Sequence, residues 1–320
     1  FILGMGSLQV GLTSLVLFTC SSIIFDWSWQ TALTISLALS LSSTAIVLQT
    51  LKEKGMLQTS VGRSSFAVLL FQDIAVIPIL ALIPLLASSS HIIPEEDLHH
   101  SLISNLDGWL QTLIVTGVIA TIYFGGKYII VPLLHIIAKT RLQELFTASA
   151  LLLVLGVSYL MQIVGLSPAL GAFMAGVVLA NSEFRHELEG DIAPFKGLFL
   201  GLFFIGVGAS INFRLIIDNP AFILIFGFIL TMIKFFVFLG IGKLYNKKID
   251  QNFIFSIGLS QAGEFGFVIM SFSMQLNIIP NMLANQIMAI IAISMIATPF
   301  LLLINERLID PYFGVKEKDS

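Results

Sequence analysis

The stretch from Phe253 to Gln275, FIFSIGLSQAGEFGFVIMSFSMQ, decides the fold class. Its 23 residues would make a helix of about 34 Å, enough to cross a hydrocarbon core about 30 Å thick. Its middle is wrong for a continuous membrane helix. Ser256, Gly258, Ser260, Gln261, Gly263, Glu264 and Gly266 gather where lipid-facing apolar residues would be expected. A charged group at that depth costs at least about 2.5–3.5 kcal/mol, so Glu264 must be paired, hydrated or functional. Hydroxyls and glycines clustered in mid-span suit a helix that unwinds part-way, as transporter helices do at a binding site.

The rest of the 320-residue chain supports a membrane setting. Hydrophobic residues make up 57% and charged residues 11%, with a mean hydropathy of +0.97. A soluble domain carries about 25% charge. This composition excludes disorder, nucleic-acid binding and a disulfide-stapled secreted module. Cys20, the single cysteine, sits in an apolar run and cannot form an internal disulfide. Phe1 opens directly into an apolar run, which we read as a chain preceded by an upstream part.

A membrane-length window gives ten spans: 1–25, 29–51, 62–87, 109–138, 144–164, 168–182, 195–211, 220–244, 253–275 and 282–304. Lys and Arg collect in cytoplasmic loops, and thirteen of the sixteen fall on one side of this list: Lys52, Lys54, Arg63, Lys139, Arg141, Arg185, Lys196, Lys243, Lys247, Lys248, Arg307, Lys316 and Lys318. Arg214 alone lies opposite, while the loop after 87 carries Glu95, Glu96, Asp97 and Asp107. Both ends of the chain are therefore expected in the cytoplasm. Lys127 lies near a span end and is read as snorkelling.

Three charges remain deep within spans: Asp73, Lys234 and Glu264. From the span starts, each falls roughly 16–21 Å into the membrane, near its midplane. A salt bridge such as Asp73 with Lys234 is the plain structural reading; the functional reading is an ion site. The span 29–51 is also polar at this depth, with Ser36, Ser40, Ser42, Ser43 and Thr44. Small-residue helix packing explains that span about as well as unwinding does. Loop parity adds that the triplets 1–87 and 212–304 enter the membrane from opposite sides, each with a polar middle member, as inverted repeats do.

A carboxylate at Asp73, beside hydroxyls and freed carbonyls, is a hard oxygen site for an alkali cation such as potassium. Burial favours the neutral carboxyl, so a proton competes with the cation for one group and the two fluxes become coupled. Gln72 is neutral, leaving one titrating group at that point and an electroneutral exchange as the simple expectation. Lys234 is read as core support, together with Glu264, Gln261 and Ser260.

The residues Leu70 to Pro78 (LFQDIAVIP), Ser42 to Ala45, Ser182 to Glu189 (SEFRHELE), Ala193 to Phe204 (APFKGLFLGLFF) and Ser260 to Phe265 (SQAGEF) resemble those of the Kef-type glutathione-gated potassium efflux systems. These belong to the cation/proton antiporter-2 family within the sodium/hydrogen exchanger superfamily. The resemblance covers essentially the whole chain. It implies an all-α polytopic protein with the sodium/proton antiporter fold, inverted repeats and crossed discontinuous helices. Its organisation would be core transport helices in 1–87 and 212–304, a loop and linker helix in 88–143, scaffold helices in 144–211 and a tail in 305–320. It also implies a homodimer in the bacterial inner membrane, with the core rocking against the scaffold. Gln72-Asp73 matches the potassium-type pair, and Lys234 falls on the family's core lysine. The stretch 183–197, with His186, Glu187, Glu189, Asp191 and Lys196, matches a cytoplasmic regulatory loop that meets a C-terminal nucleotide-binding domain. No G-x-G-x-x-G follows the last span, so no cofactor is expected in this chain. Glutathione and nucleotide would act on a full-length protein.

The leading expectation is a potassium/proton antiporter. Channel-like potassium efflux gated by a cytoplasmic domain and sodium/proton exchange stay open. An intramembrane hydrolase is disfavoured, because His91, His99, His100, His135 and His186 lie in loops or at a span end, away from the midplane acids.

Overall fold

The computed structural model describes residues 2–87, 117–118, 121–122, 124–126, 128, 131–139, 142–163, 168–180, 182–210, 217, 220–305 and 307. Expectations for the acidic loop 88–107, Trp109, Lys127, Arg214 and the end of the tail lie outside these residues. The described chain is helical, and packing divides it into two compact units, Phe1–Ala87 with Ile211–Ser320, and Ser88–Ser210.

In the first unit, α1 spans Ile2–Phe25, α2 Trp29–Ser40, α3 Thr44–Glu53 and α4 Ser60–Leu86. The second unit contains α5 Val131–Ala138, α6 Gln143–Ile163, α7 Pro168–Ala180 and α8 Arg185–Ser210. The first resumes with α9 Pro220–Leu244, α10 Ile249–Leu259, α11 Phe265–Gln275 and α12 Asn281–Ile304. Among the described residues six stretches are long and apolar enough to cross a membrane: 3–25, 29–53, 60–86, 143–163, 220–244 and 281–304. Large apolar side chains such as Leu15, Ile23, Phe228 and Ile296 face outward, whereas Gln9, Gln72, Lys234 and Gln261 are buried. That inversion of the soluble pattern is what a lipid solvent selects.

Both polar spans are broken. Between α2 and α3, Leu41 and Ser43 are extended, at ψ 150° and 115°. Between α10 and α11, residues 260–264 leave the helix. Serine hydroxyls compete with the backbone for hydrogen bonds, which lowers the cost of stopping a helix. The Ser43 hydroxyl accepts from the Ile46 amide and so restarts the chain as α3. Around these breaks, Met5, Val47, Val68, Leu69, Phe238, Phe255 and Leu259 form one buried cluster drawn from α1, α3, α4, α9 and α10.

In the second unit, α8 begins at Arg185 and runs through Pro194 to Ser210. The stretch read as a loop over 183–197 is thus mostly helix, and the helix that carries the span read from 195 begins ten residues before it. Phe184, Leu188 and Ile192 repeat every four residues and pack against Leu134, Phe146, Ala150 and Leu179. That apolar stripe offsets the hydrogen bond lost at Pro194.

Candidate ion-binding site

The two breaks meet. A Cβ on Gly263 would lie 2.7 Å from the backbone carbon and oxygen of Ser42, so only glycine lets these segments touch. The Ser42 hydroxyl donates to the Leu259 carbonyl at 2.7 Å, tying one break to the other.

Lys234, fully buried on α9, sits at the crossing. Its Nζ donates to the carbonyls of Leu39 at 3.0 Å, Leu41 at 2.7 Å and Gln261 at 2.6 Å. An ammonium has three donors, and three carbonyls use all of them. Those carbonyls lie where α2 and α10 end, and a helix C-terminus carries partial negative charge. Lys234 therefore neutralises two helix ends at once. The salt bridge to Asp73 considered from the sequence is replaced by these backbone acceptors, because interrupting two helices frees carbonyls nearer to hand.

The acids occupy the opposite helix ends. Asp73, half-buried on α4, accepts a hydrogen bond from the Thr44 hydroxyl at 3.1 Å. Thr44 is the first residue of α3, so the carboxylate stands at a helix N-terminus, where negative charge is favoured. Glu264 is the residue before α11 and makes no capping hydrogen bond with its side chain.

Both ends of the Gln72 amide are engaged. Its Oε1 accepts from the Ser42 amide at 2.9 Å, and its Nε2 donates to Gln9 Oε1 at 2.5 Å. Gln9 on α1, which the sequence reading passed over, donates in turn to the Ser40 carbonyl at 2.9 Å and to the Thr13 hydroxyl at 3.1 Å. The available signal was a lone glutamine inside an apolar span. Ser43 is committed to its cap, and the Ser260 hydroxyl donates back to Ile257 at 2.9 Å. Gln261 is buried with neither side-chain amide atom partnered among the described residues. Asp73 and Thr44 are thus brought together as oxygen donors. At the breaks, where bared carbonyls were expected to face a cation, those of Leu39, Leu41 and Gln261 accept from Lys234 and that of Ser40 from Gln9.

The residues read as regulatory lie in the second unit. Asp191 accepts from Gln143 Nε2 and from the Thr147 hydroxyl, at 2.5 and 2.8 Å, tying α8 to α6. Glu189 pairs with Arg185 at 2.8 Å and lies 3.8 Å from His186; the Arg185 hydrogen bond and charge hold its carboxyl below the usual range. His135 meets Glu183 at 2.9 Å. His186, Glu187 and Asp191 line a cavity of about 450 Å³ with Leu142, Gln143 and Phe146, while Lys196 is exposed. Among the described residues no group of His, Cys, Asp or Glu could hold a metal ion.

Two discontinuous helices crossed at a buried lysine, with a carboxylate at a broken-helix N-terminus, define a membrane transporter. The family described as sodium/hydrogen exchanger, transmembrane, matches residues 1–303, and the chain belongs to it. It is a family of transporters, not enzymes. The chain is 45% identical over 284 residues to glutathione-regulated potassium-efflux system protein KefC of Escherichia coli strains S88 and UTI89 and of Shigella flexneri. These alignments cover 88% of this chain and 44% of each relative, so the chain spans less than half the length of the curated relatives it matches.

Proposed function

We propose that this chain is the ion-translocating part of a potassium/proton antiporter that drives potassium efflux by alternating access. The observation carrying the proposal is the Asp73 carboxylate hydrogen-bonded to Thr44 at the start of α3. An oxygen-only site of this kind suits an alkali cation. Protonation of the same carboxyl discharges it, so the site carries a cation one way or a proton the other. Lys234, bound to three carbonyls, stays outside this competition and holds the crossing. Exchange is then one for one. Potassium, rather than sodium, is supported by the potassium-efflux relatives.

The proposal extends to a homodimer in a bacterial inner membrane, with both ends of this chain cytoplasmic. The α8 segment containing His186, Glu187, Glu189, Asp191 and Lys196 would receive a regulatory domain of a longer chain, responsive to glutathione and nucleotide. The test uses full-length protein in proteoliposomes, with internal pH recorded on addition of potassium or sodium. Potassium-driven proton movement that disappears in Asp73→Asn is expected. Unchanged proton movement in that variant, or potassium flux that leaves pH unaltered, refutes the proposal.

A further inference from the structure

We infer that Gln9 is a positioning residue for the cation site: it fixes the Gln72 amide with its oxygen turned onto Ser42, leaving Asp73 and Thr44 to meet the ion. This rests on the reading of Asp73 as the ion-binding group.

The orientations of both amides follow from their ends. A backbone amide can only donate and a backbone carbonyl can only accept. The Ser42 N–H therefore selects the oxygen of Gln72, whose NH₂ must face Gln9. The Ser40 carbonyl selects the NH₂ of Gln9, whose oxygen must face Gln72. The relay runs Ser42 amide, Gln72, Gln9, Ser40 carbonyl. It starts and ends on the same α2–α3 break, and flipping either amide would oppose two donors or two acceptors. Gln9 is fully buried and Gln72 is 2% exposed, so water cannot readily replace a lost partner. The relay also joins three elements far apart in sequence: α1, the break and α4, which carries Asp73.

Without Gln9, the Ser40 carbonyl and the Gln72 NH₂ both lose their partners. The Gln72 oxygen is then no longer held on the Ser42 amide, and Thr44, two residues further along the same break, loses the fixed position from which its hydroxyl donates to Asp73. A Thr44–Asp73 pair displaced from this geometry holds the cation less tightly. A lost buried hydrogen bond is worth about one tenfold step in affinity.

The experiment measures potassium-driven proton movement in proteoliposomes of the full-length protein, separating apparent KM from kcat. Wild type, Gln9→Leu, Gln72→Leu, the double variant and Asp73→Asn are compared, with potassium-dependent thermal shift in detergent as a second readout. Gln9→Leu is expected to raise the potassium KM about tenfold. The double variant should be no worse than Gln72→Leu, because the two residues act as one relay. If Gln9→Leu does not fold, Gln9→Asn, one methylene too short to reach both Ser40 and Gln72, should show a smaller KM increase. An unchanged KM with reduced kcat or melting temperature, or additive effects in the double variant, overturns the inference. Wild-type potassium dependence in Asp73→Asn removes the underlying site and the inference with it; loss in Asp73→Asn with normal KM in Gln9→Leu removes the inference alone.

Discussion

Replacing Lys234 by Met keeps the aliphatic stem and deletes the ammonium. Three carbonyls, of Leu39, Leu41 and Gln261, then lose hydrogen bonds of 2.6–3.0 Å inside a packed crossing. Each buried acceptor left unpaired costs about 1–3 kcal/mol, a gross loss of roughly 3–9 kcal/mol. Removing the ammonium also removes its desolvation penalty, itself several kcal/mol. Breaking one side of a buried charged arrangement nets about 3–5 kcal/mol. At about 2–4 °C per kcal/mol for chains of this order, the melting temperature should fall by on the order of 10 °C. Lys234→Gln, with two donors, should fall between Met and wild type. Thermal unfolding in detergent, followed by tryptophan fluorescence, measures the series. A Lys234→Met protein melting within about 2 °C of wild type, a loss of no more than about 1 kcal/mol, would falsify the assignment of Lys234 as the clamp on both broken helices.

Gly263→Ala places a methyl 2.7 Å from the Ser42 backbone, which cannot rotate away, and should cost more than about 2 kcal/mol; normal folding on size exclusion and normal exchange would refute the contact. Thr44→Val removes the hydroxyl that donates to Asp73 at nearly constant shape. The potassium KM should rise severalfold, by about the worth of one charged hydrogen bond at most, while the melting temperature stays near wild type. Lys247, between α9 and α10, donates to the Ser64 hydroxyl at 2.6 Å and lies 4.9 Å above the Phe255 ring; burial pulls its ammonium down to about 8. The unfolded chain keeps a higher lysine value, near 10.4, and so binds more protons between those limits. Stability should therefore rise as pH goes from about 8 toward 10, and denaturant unfolding of Lys247→Met should lack that rise.

Much of the architecture is written in local composition. The interruption near Gln261 follows from hydroxyls and glycines placed where lipid-facing residues belong, whereas composition left the one near Ser42 open between unwinding and small-residue packing; the isolation of Asp73, Lys234 and Glu264 from the loop charges is visible in the chain itself. The α8 helix was legible too, in Phe184, Leu188 and Ile192 at four-residue spacing, although Pro194 and the surrounding charges read as a loop. Only folding decided how the polar groups are shared. Charge alone suggested that Lys234 should seek a carboxylate. Two helix ends converge on it instead, from residues 195 and 27 positions away in sequence, because a helix that stops leaves its last carbonyls without intrahelical donors. Gln9 and Gln72 are 63 positions apart, and nothing along the chain pairs them. Hydropathy and charge are properties of single residues and their neighbours. The use of each freed carbonyl, hydroxyl and amide depends on which helix faces which across a water-poor interior, and there the need of buried donors for acceptors decides how these groups are shared.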